Sequence, residues 1–329
     1  MAQTDGSVSA QEQAKVKVLY IGGYSRSGST LVDRMLGQIP GVTSTGELAY
    51  IWRRAVYENR LCGCGVRFRD CSFWNDVAEE AFGGWRNVDV DEMMALYHGV
   101  NRHRFLPLLV TPSVAPGYRR RLRDYAEILE TLYRAIQTVD GSRLIVDSTT
   151  DPSYAFLLRH VGAIDLRVVH LVRDSRGTAF SWTRRVVRSD SPETTVYMKR
   201  FHPATTAFRW SVYHSLFHLL AALGVPQLFL RYESVVKTPR QALEKMMDFV
   251  GEPLDADADL AFVRDGVVDL GPHHTAAGNR VRLKQGEIAL RVDDEWRHAM
   301  DDGHRRLVTL LSWPLLLRYG YVGARASSL

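Results

Sequence analysis

Four runs of apolar residues are typical of buried parallel strands, at residues 16–21, 144–146, 166–172 and 227–231. Each run is followed by a segment that favours a helix, beginning with residues 31–39 after the first run. After the fourth run, Thr238 can cap a helix that Pro239 begins and Gly251 ends. Strands that alternate with helices predict an α/β fold with three layers, in which helices cover a central and mainly parallel sheet.

The interval between the first two strands contains about 120 residues, far more than one crossover needs. Residues 118–139 within it are typical of a long amphipathic helix. We therefore expect a mostly helical insertion over residues 48–140 that covers the ligand crevice on the acceptor side. Residues 1–14 are polar and predict a flexible tail without a signal peptide, whereas residues 15–329 contain no linker and predict one domain.

A loop rich in glycine and serine, GYSRSGST at residues 23–30, lies between the first strand and its helix. Such a turn directs backbone N–H groups and the positive end of the helix dipole toward an anion. The loop has the Gly-x-x-x-x-Gly frame of a nucleoside triphosphate site, which favours a P-loop-like fold, but Ser29 replaces the lysine that contacts the β- and γ-phosphates. Arg26 supplies a cation inside the turn instead, which favours a nucleotide with a single short anhydride.

In this loop the chain resembles the sulfotransferases that use 3′-phosphoadenosine-5′-phosphosulfate (PAPS), because Arg26 through Thr30 match their 5′-phosphosulfate motif. The resemblance implies that the donor is bound by Ser25, Arg26, Ser27, Gly28, Ser29 and Thr30. Leu31 differs from many cytosolic members, which have there a tryptophan that stacks on adenine. Base stacking must therefore come from another part of this chain.

Two later segments extend the resemblance to the 3′-phosphate of the donor. Arg173 follows the third predicted strand, and Ser181 lies about two helical turns further on, so both can contact one phosphate. Near the C-terminus, the loop at residues 278–286 resembles a late glycine- and arginine-containing segment of bacterial and carbohydrate sulfotransferases. There Arg282 is our first candidate and Lys284 our second for the 3′-phosphate, since alternate positions of an extended loop share a face.

Sulfuryl transfer to a hydroxyl needs a cation near the bridging oxygen and a base for the acceptor proton. Arg26 meets the first need. Many cytosolic relatives use a histidine as the base, but the corresponding stretch here, residues 146–152, contains none. Glu47 occupies the position at which related bacterial enzymes have a catalytic glutamate, and Asp147 is the alternative base or could orient Arg26.

The three cysteines, Cys62, Cys64 and Cys71, form one cluster in the sequence. A closed structural zinc site needs four ligands, and no suitably spaced histidine completes the set. His273 and His274 are interpreted as loop residues. The sequence therefore predicts a packed loop beside the acceptor site and no metal, with a metal site or redox switch as the alternatives.

The composition and charge of the chain limit the classes of function that it could have. The 329 residues are 46% hydrophobic with a net charge of +5, as in soluble globular proteins that bind anionic ligands. The longest apolar run, residues 307–317, is interrupted by Ser312 and Pro314 and favours a C-terminal helix over a membrane span. We expect a cytoplasmic protein without a transmembrane segment.

The resemblance implies a PAPS-dependent O-sulfotransferase that releases adenosine 3′,5′-bisphosphate (PAP). Its acceptor would be a small-molecule hydroxyl on a carbohydrate, glycolipid or natural product, and neither the acceptor nor the oligomeric state follows from the sequence. One alternative is a P-loop kinase in which Thr30 and Asp147 hold Mg²⁺ for ATP. A second is a basic nucleic-acid-binding protein, which the scattered arginines support poorly, so we expect no nucleic-acid partner.

Overall fold

A parallel sheet of five strands forms the centre of the molecule, in a computed structural model that describes residues 14–185, 197–255 and 259–323. The strand order is β2-β3-β1-β4-β5. The strands are β1 (Val16–Gly23), β2 (Val42–Gly46), β3 (Leu144–Thr150), β4 (Ile164–Val172) and β5 (Gln227–Arg231). All four predicted strands are present, and their carboxyl ends meet at one edge of the sheet.

The alternation of side chains along β1 explains the three layers. Val16, Val18 and Tyr20 point into one hydrophobic core, whereas Leu19 and Ile21 point into the other. Helices cover both faces, and the predicted α/β class is confirmed. The helices are α1 (Ser29–Leu36), α2 (Ser72–Phe82), α3 (Val90–Val100), α4 (Leu106–Val110), α5 (Pro116–Asp140), α6 (Pro152–Leu158), α7 (Ser175–Thr183), α8 (Pro203–Ala222), α9 (Tyr232–Lys237), α10 (Pro239–Phe249), α11 (Trp296–Ala299) and α12 (Asp302–Arg318).

The edge strand β2 is absent from the predicted pattern because its sequence, VTSTG, is mostly polar. All five of its residues are nevertheless buried. The Thr45 hydroxyl donates to the Val146 carbonyl at 2.7 Å, and the Ser44 hydroxyl donates to the Asp33 carboxyl group at 2.7 Å. These hydrogen bonds offset the cost of burying the hydroxyls.

The insertion between β2 and β3 is mostly helical. It begins with a short 3₁₀ turn, Leu48–Tyr50, and a π-helix, Ile51–Tyr57, and continues through α2 to α5. The long helix α5 packs toward the sheet, and the largest side chains that it helps to bury are those of Trp52 and Trp74. This packing fixes the first turn of the insertion against the end of β2.

The C-terminal part consists of a small antiparallel sheet and two helices. Its strands are β6 (Val263–Arg264), β7 (Val267–Leu270) and β8 (Gly286–Ala289). Helix α12 continues through Pro314 and buries Val308, Ser312 and Leu316 on one face, as expected for a helix packed on the core. Within the described ranges, no helix is long and apolar enough to span a membrane. The predicted tail, except Ala14, lies outside these ranges.

Candidate active site

A cavity of about 420 Å³ opens at the carboxyl edge of the sheet, where doubly wound folds bind ligands. Five residues of the loop after β1 line it, together with Glu47 after β2, Thr149 and Thr150 of β3, and Arg173 after β4. A larger cavity of about 870 Å³ beside α5 contains none of the predicted site residues. The smaller cavity is therefore the candidate active site.

The loop after β1 presents backbone N–H groups to this cavity. Gly28, with φ of 87°, precedes α1 and offers no side-chain cap to its first turn. The N–H groups of Ser29 and Thr30, both of which line the cavity, are thus available to an anion. A side chain at Gly28 would collide with the Tyr232 ring, 2.3 Å from the position of its Cβ, so glycine allows the tyrosine to form the opposite wall.

The backbone is strained on two sides of the cavity. Arg26, with φ of 75°, and Thr150, with φ of 64°, are two of the three non-glycine residues with positive φ in the described ranges. For a β-branched threonine this conformation is rare. Strain of this kind concentrates at functional sites, where the surrounding structure holds it.

Arg26 projects its side chain into the cavity wall. Its guanidinium lies 5.0 Å from the centre of the Trp182 ring and donates to the Met198 sulfur at 3.2 Å. Ser27, by contrast, is buried, and its hydroxyl has no hydrogen-bond partner among the described residues. Ser27 is thus the one residue between Ser25 and Thr30 that does not line the cavity.

Arg173 connects the loop to the C-terminal part. It is buried, and it donates to the Arg26 carbonyl at 2.9 Å and to the Asp293 carboxylate at 2.8 Å. Its guanidinium also lies 5.4 Å from the centre of the Tyr232 ring. Ser181, on α7, lines the same cavity, so the two predicted 3′-phosphate residues are brought together with the loop.

Glu47 lies at the cavity because β2 ends there. Gly46, with φ of 74°, turns the chain, and a side chain on it would collide with the Ala277 carbonyl at 2.3 Å. The Glu47 N–H donates to that carbonyl at 3.0 Å. The Glu47 carboxylate accepts a hydrogen bond from Arg54 at 2.7 Å, and the Arg54 guanidinium stacks 3.8 Å from the Tyr50 ring centre.

Asp147, the alternative base, lies in the interior and does not line the cavity. Its carboxylate accepts hydrogen bonds from the hydroxyls of Tyr133 and Thr149, both at 2.6 Å. Burial raises the pKa of Asp147 to about 6, although both hydrogen bonds oppose the shift. The side chain lies beneath the strand end at which the sequence reasoning located it, because Thr149, which donates to it, and Thr150 occupy that end.

The structure also leaves the two basic candidates of the late loop outside the cavity. Arg282 is 1% exposed and donates to the carbonyls of Thr275 and Leu61, at 3.1 Å and 2.5 Å. Lys284 is exposed to solvent. Gly278 and Asn279 of the same loop do line the cavity. The alternation argument is wrong for this segment because Arg280–Leu283 forms a 3₁₀ turn and not an extended strand.

A second cavity, of about 450 Å³, shares Ser25 and Trp182 with the first. Its walls are aromatic: the rings of Tyr24 and Tyr213 are 5.1 Å apart, and Phe201 packs 4.8 Å from Trp182. His103 of the insertion lines it and contacts the Asp151 carboxylate at 3.2 Å. That hydrogen bond raises the pKa of His103.

Several residues of the two cavities were missed by sequence reasoning: Arg54, His103, Trp182, Met198 and Tyr232. All lie on helices or loops, and the direction in which their side chains point depends on tertiary packing. The only sequence signal was the tryptophan directly after Ser181, which sits in the predicted 3′-phosphate helix.

The cysteine cluster lies apart from both cavities. All three cysteines are free thiols, and His274 lies beside them. This corrects the expectation that no histidine completes the set, because His274 is distant in sequence and is brought in by the late loop.

Comparisons with known proteins bear on the family and the fold. Residues 19–256 match the sequence model of the sulfotransferase family. No curated protein matches the sequence. The fold is similar to the sulfotransferase domain of the Synechococcus PCC 7002 olefin synthase, with a TM-score of 0.50 and 21% identity over 91% of this chain and 94% of that one.

Two other solved structures are similar at lower scores. The sulfotransferase domain from the curacin biosynthetic pathway has a TM-score of 0.48 and 17% identity, over 91% of this chain and 98% of that one. Retinol dehydratase in a complex with retinol and PAP has a TM-score of 0.41 and 16% identity, over 91% of this chain and 80% of that one.

Proposed function

This chain belongs to the sulfotransferase family, and we propose that it transfers the sulfuryl group of PAPS to a hydroxyl of a small-molecule acceptor. The observation that carries the proposal is the convergence of the β1 loop, Glu47, Arg173 and Ser181 on one cavity. The anion-binding loop and the separate arginine suit a donor with two phosphate positions. The carboxylate suits a transfer that needs a base.

The donor would lie with its phosphosulfate on the loop and its 3′-phosphate near Arg173 and Ser181. Backbone N–H groups at the start of α1 and the Arg26 guanidinium would stabilise the charge that develops on the bridging oxygen. The hydrogen bond from Arg173 to the Arg26 carbonyl supports this arrangement, since it connects the two phosphate positions.

In the transfer step, the acceptor oxygen forms a bond to sulfur while the bond between sulfur and the bridging oxygen breaks. The bridging oxygen keeps that electron pair and leaves as part of PAP. We assign Glu47 as the base that takes the hydroxyl proton, because its carboxylate faces the cavity and Asp147 does not.

The acceptor would enter through the second cavity, which adjoins the loop at Ser25. Its aromatic walls suit an apolar or ring-containing acceptor with a hydroxyl at its end. His103 belongs to the insertion and lines this cavity. This residue therefore supports the proposed acceptor role of the insertion.

Calorimetry with PAP, and separately with ATP and Mg²⁺, tests the donor assignment. We expect PAP to bind without added metal at a Kd in the low micromolar range, about −8 kcal/mol, and ATP to bind much more weakly. Arg173→Ala should weaken PAP binding by about 1.5–3 kcal/mol, the cost of a charge-assisted hydrogen bond. The exposed Arg264 serves as the control through Arg264→Ala. Equal binding by wild type and Arg173→Ala would refute the assignment, and a Mg²⁺-dependent preference for ATP would favour a kinase.

The base is tested with Glu47→Gln, which keeps the size of the side chain but cannot take the proton. Turnover should fall by about 10²–10⁴, while PAP binding stays nearly unchanged. His103→Gln is the comparison, and it should retain most of the turnover. Full activity in Glu47→Gln together with a large loss in His103→Gln would move the base to His103.

A further inference from the structure

The cysteine cluster has the composition of a metal site. The possible ligand atoms are the sulfurs of Cys62, Cys64 and Cys71 and a ring nitrogen of His274, and they all lie within 4.8 Å of one another. Three thiols and one imidazole are a ligand set that structural zinc sites use. Cys62 and Cys71 are buried, and Cys64 and His274 are half-buried, so the cluster is mostly shielded from water.

The spacing of these atoms agrees with a tetrahedron. With Zn–S bonds of about 2.3 Å, the sulfur atoms of a tetrahedral site are about 3.8 Å apart. The sulfurs of Cys64 and Cys71 are 3.8 Å apart, and the Cys71 sulfur lies 3.2 Å from His274 Nδ1. Neither distance requires the backbone to move by more than a few tenths of an ångström.

The loop at residues 62–65 packs closely against the segment at residues 273–275. The Gly65 N–H donates to the Cys62 carbonyl at 2.9 Å, and Gly65 has φ of 93°, so the first two cysteines lie on one tight turn. A side chain at Gly63 would collide with the His273 ring, 2.3 Å from its Cβ position. The Gly63 N–H instead donates to the Thr275 carbonyl at 3.0 Å. Glycine is therefore required for the close approach of the two segments.

The outer contacts orient the ligands as such contacts do in metal sites. Cys71 immediately precedes the first turn of α2, so the start of that helix fixes its position. The Trp74 indole donates to the His274 carbonyl at 2.6 Å, and the Phe73 ring stacks on the His274 ring with centres 4.9 Å apart. Two neighbours thus hold the imidazole with Nδ1 toward the cysteines.

We propose that Cys62, Cys64, Cys71 and His274 bind one Zn²⁺ ion in a closed, structural site. The ion joins the start of the insertion to the late loop, where Ala276 and Ala277 hydrogen-bond to Thr45 and Glu47. Its role is to hold the insertion in register with the end of β2. Four protein ligands leave no position for substrate, so the ion takes no part in the chemistry.

A disulfide is the competing state of the same residues. Two of three thiols would pair and leave one cysteine and His274 without a role, whereas zinc uses all four side chains. The two states differ in metal content and in the number of reactive thiols, so metal and thiol analysis of one preparation distinguishes them.

The test is metal analysis of the full-length protein, purified in reducing buffer without chelators. We expect close to one zinc ion per chain. Replacement by Co²⁺ should give the intense visible bands of a tetrahedral site with thiolate ligands. Cys64→Ser and His274→Gln should lower the zinc content and the Tm, whereas His298→Gln, at an exposed histidine on α11, should change neither.

Removal of the ion from the wild-type protein is the second measurement, because it avoids variants that fail to fold. A strong chelator should release the zinc, expose three titratable thiols and lower the Tm, and added Zn²⁺ should restore it. The proposal is overturned if the reduced protein contains no zinc and binds none, if the Co²⁺ form lacks tetrahedral bands, or if chelation leaves the Tm unchanged. No readout depends on sulfuryl transfer, so the outcome is independent of the proposed function.

Discussion

At the scale of single residues, the pair of Glu47 and Arg54 connects the predicted carboxylate to the insertion. The 2.7 Å hydrogen bond from Arg54 holds the carboxylate, and the stacking of Arg54 on Tyr50 holds the guanidinium in place. Arg54 also lines the cavity, and therefore the position of Glu47 at the cavity depends on it.

Arg54→Gln should lower kcat, because the Glu47 carboxylate loses the hydrogen bond that holds it at the cavity. The measurement is kcat at saturating donor and acceptor. Arg53→Gln is the matched control, since Arg53 is exposed and pairs with Glu58. An unchanged kcat in Arg54→Gln would show that Glu47 does not depend on this contact.

The predictable part of the site consists of residues that follow strands directly. Arg26 and Arg173 could be located from the sequence because each follows a predicted strand, and a strand end fixes where the next residues lie. Glu47 follows β2, which the pattern does not predict, and only the resemblance to the family indicates it.

Trp182 could not be located from the sequence, since a helix can turn either face toward the cavity. Tyr232 directly follows β5, but that position does not by itself show that its ring approaches Gly28. Arg282 lies outside the cavity because two carbonyl groups already accept hydrogen bonds from its guanidinium, which the sequence does not reveal.

At the scale of elements, β4 and α8 meet through two buried histidines. His170 on β4 and His214 on α8 lie 2.8 Å apart, between His170 Nε2 and His214 Nδ1. Burial lowers the pKa of His170 to about 3 and lowers that of His214 well below its usual value. Both rings are therefore neutral when this contact is formed.

This contact should make the fold sensitive to acid. An unfolded histidine has a pKa near 6.5, so below about pH 6.5 the unfolded chain binds protons that the folded chain does not. The free energy of unfolding should therefore fall as the pH falls from about 6.5 toward 3. His214→Gln should reduce this slope in urea unfolding measured across that pH range, and the exposed His298→Gln should not. Equal slopes in wild type and His214→Gln would contradict the assignment.

The strands differ in how well the pattern predicts them. β1, β3, β4 and β5 contain apolar runs, whereas β2 is recognisable only through the partners of its hydroxyls, which tertiary structure supplies. β2 is nevertheless the element that brings Glu47 to the carboxyl edge of the sheet. The order of the strands also did not follow from the sequence, since pairing is decided by long-range packing.

At the scale of the whole molecule, the two cavities are built from different parts of the chain. The cavity proposed for the donor lies at the sheet edge, and the cavity proposed for the acceptor is lined by His103 of the insertion together with residues of α7 and α8. Ser25 and Trp182 are common to both cavities. Binding of the donor should therefore order the boundary at which the acceptor enters.

Hydrogen exchange should show this division. PAP alone should protect residues 23–30 and 173–181, because these segments contain the proposed phosphate contacts. Addition of an acceptor should protect residues 101–105 and 201–213, while α2 and α5 stay unchanged because they do not line either cavity. Acceptor-dependent protection confined to the last 40 residues or so would place the acceptor elsewhere.

The pairing of β2 with β3 has a consequence for how such proteins diversify. β2 and β3 are paired neighbours, so the long excursion leaves one strand and returns to the adjacent one. Such a segment could be exchanged between homologues as a cassette only if the α5 side chains that contact the sheet, such as Tyr133, are kept. His274 lies outside the excursion but contacts Cys71 within it. The Ala277 carbonyl, also outside, accepts a hydrogen bond from the Glu47 N–H at the boundary. A working chimera must therefore carry residues 272–279 along with the excursion, and recombination within the family should keep the two segments as a co-inherited pair.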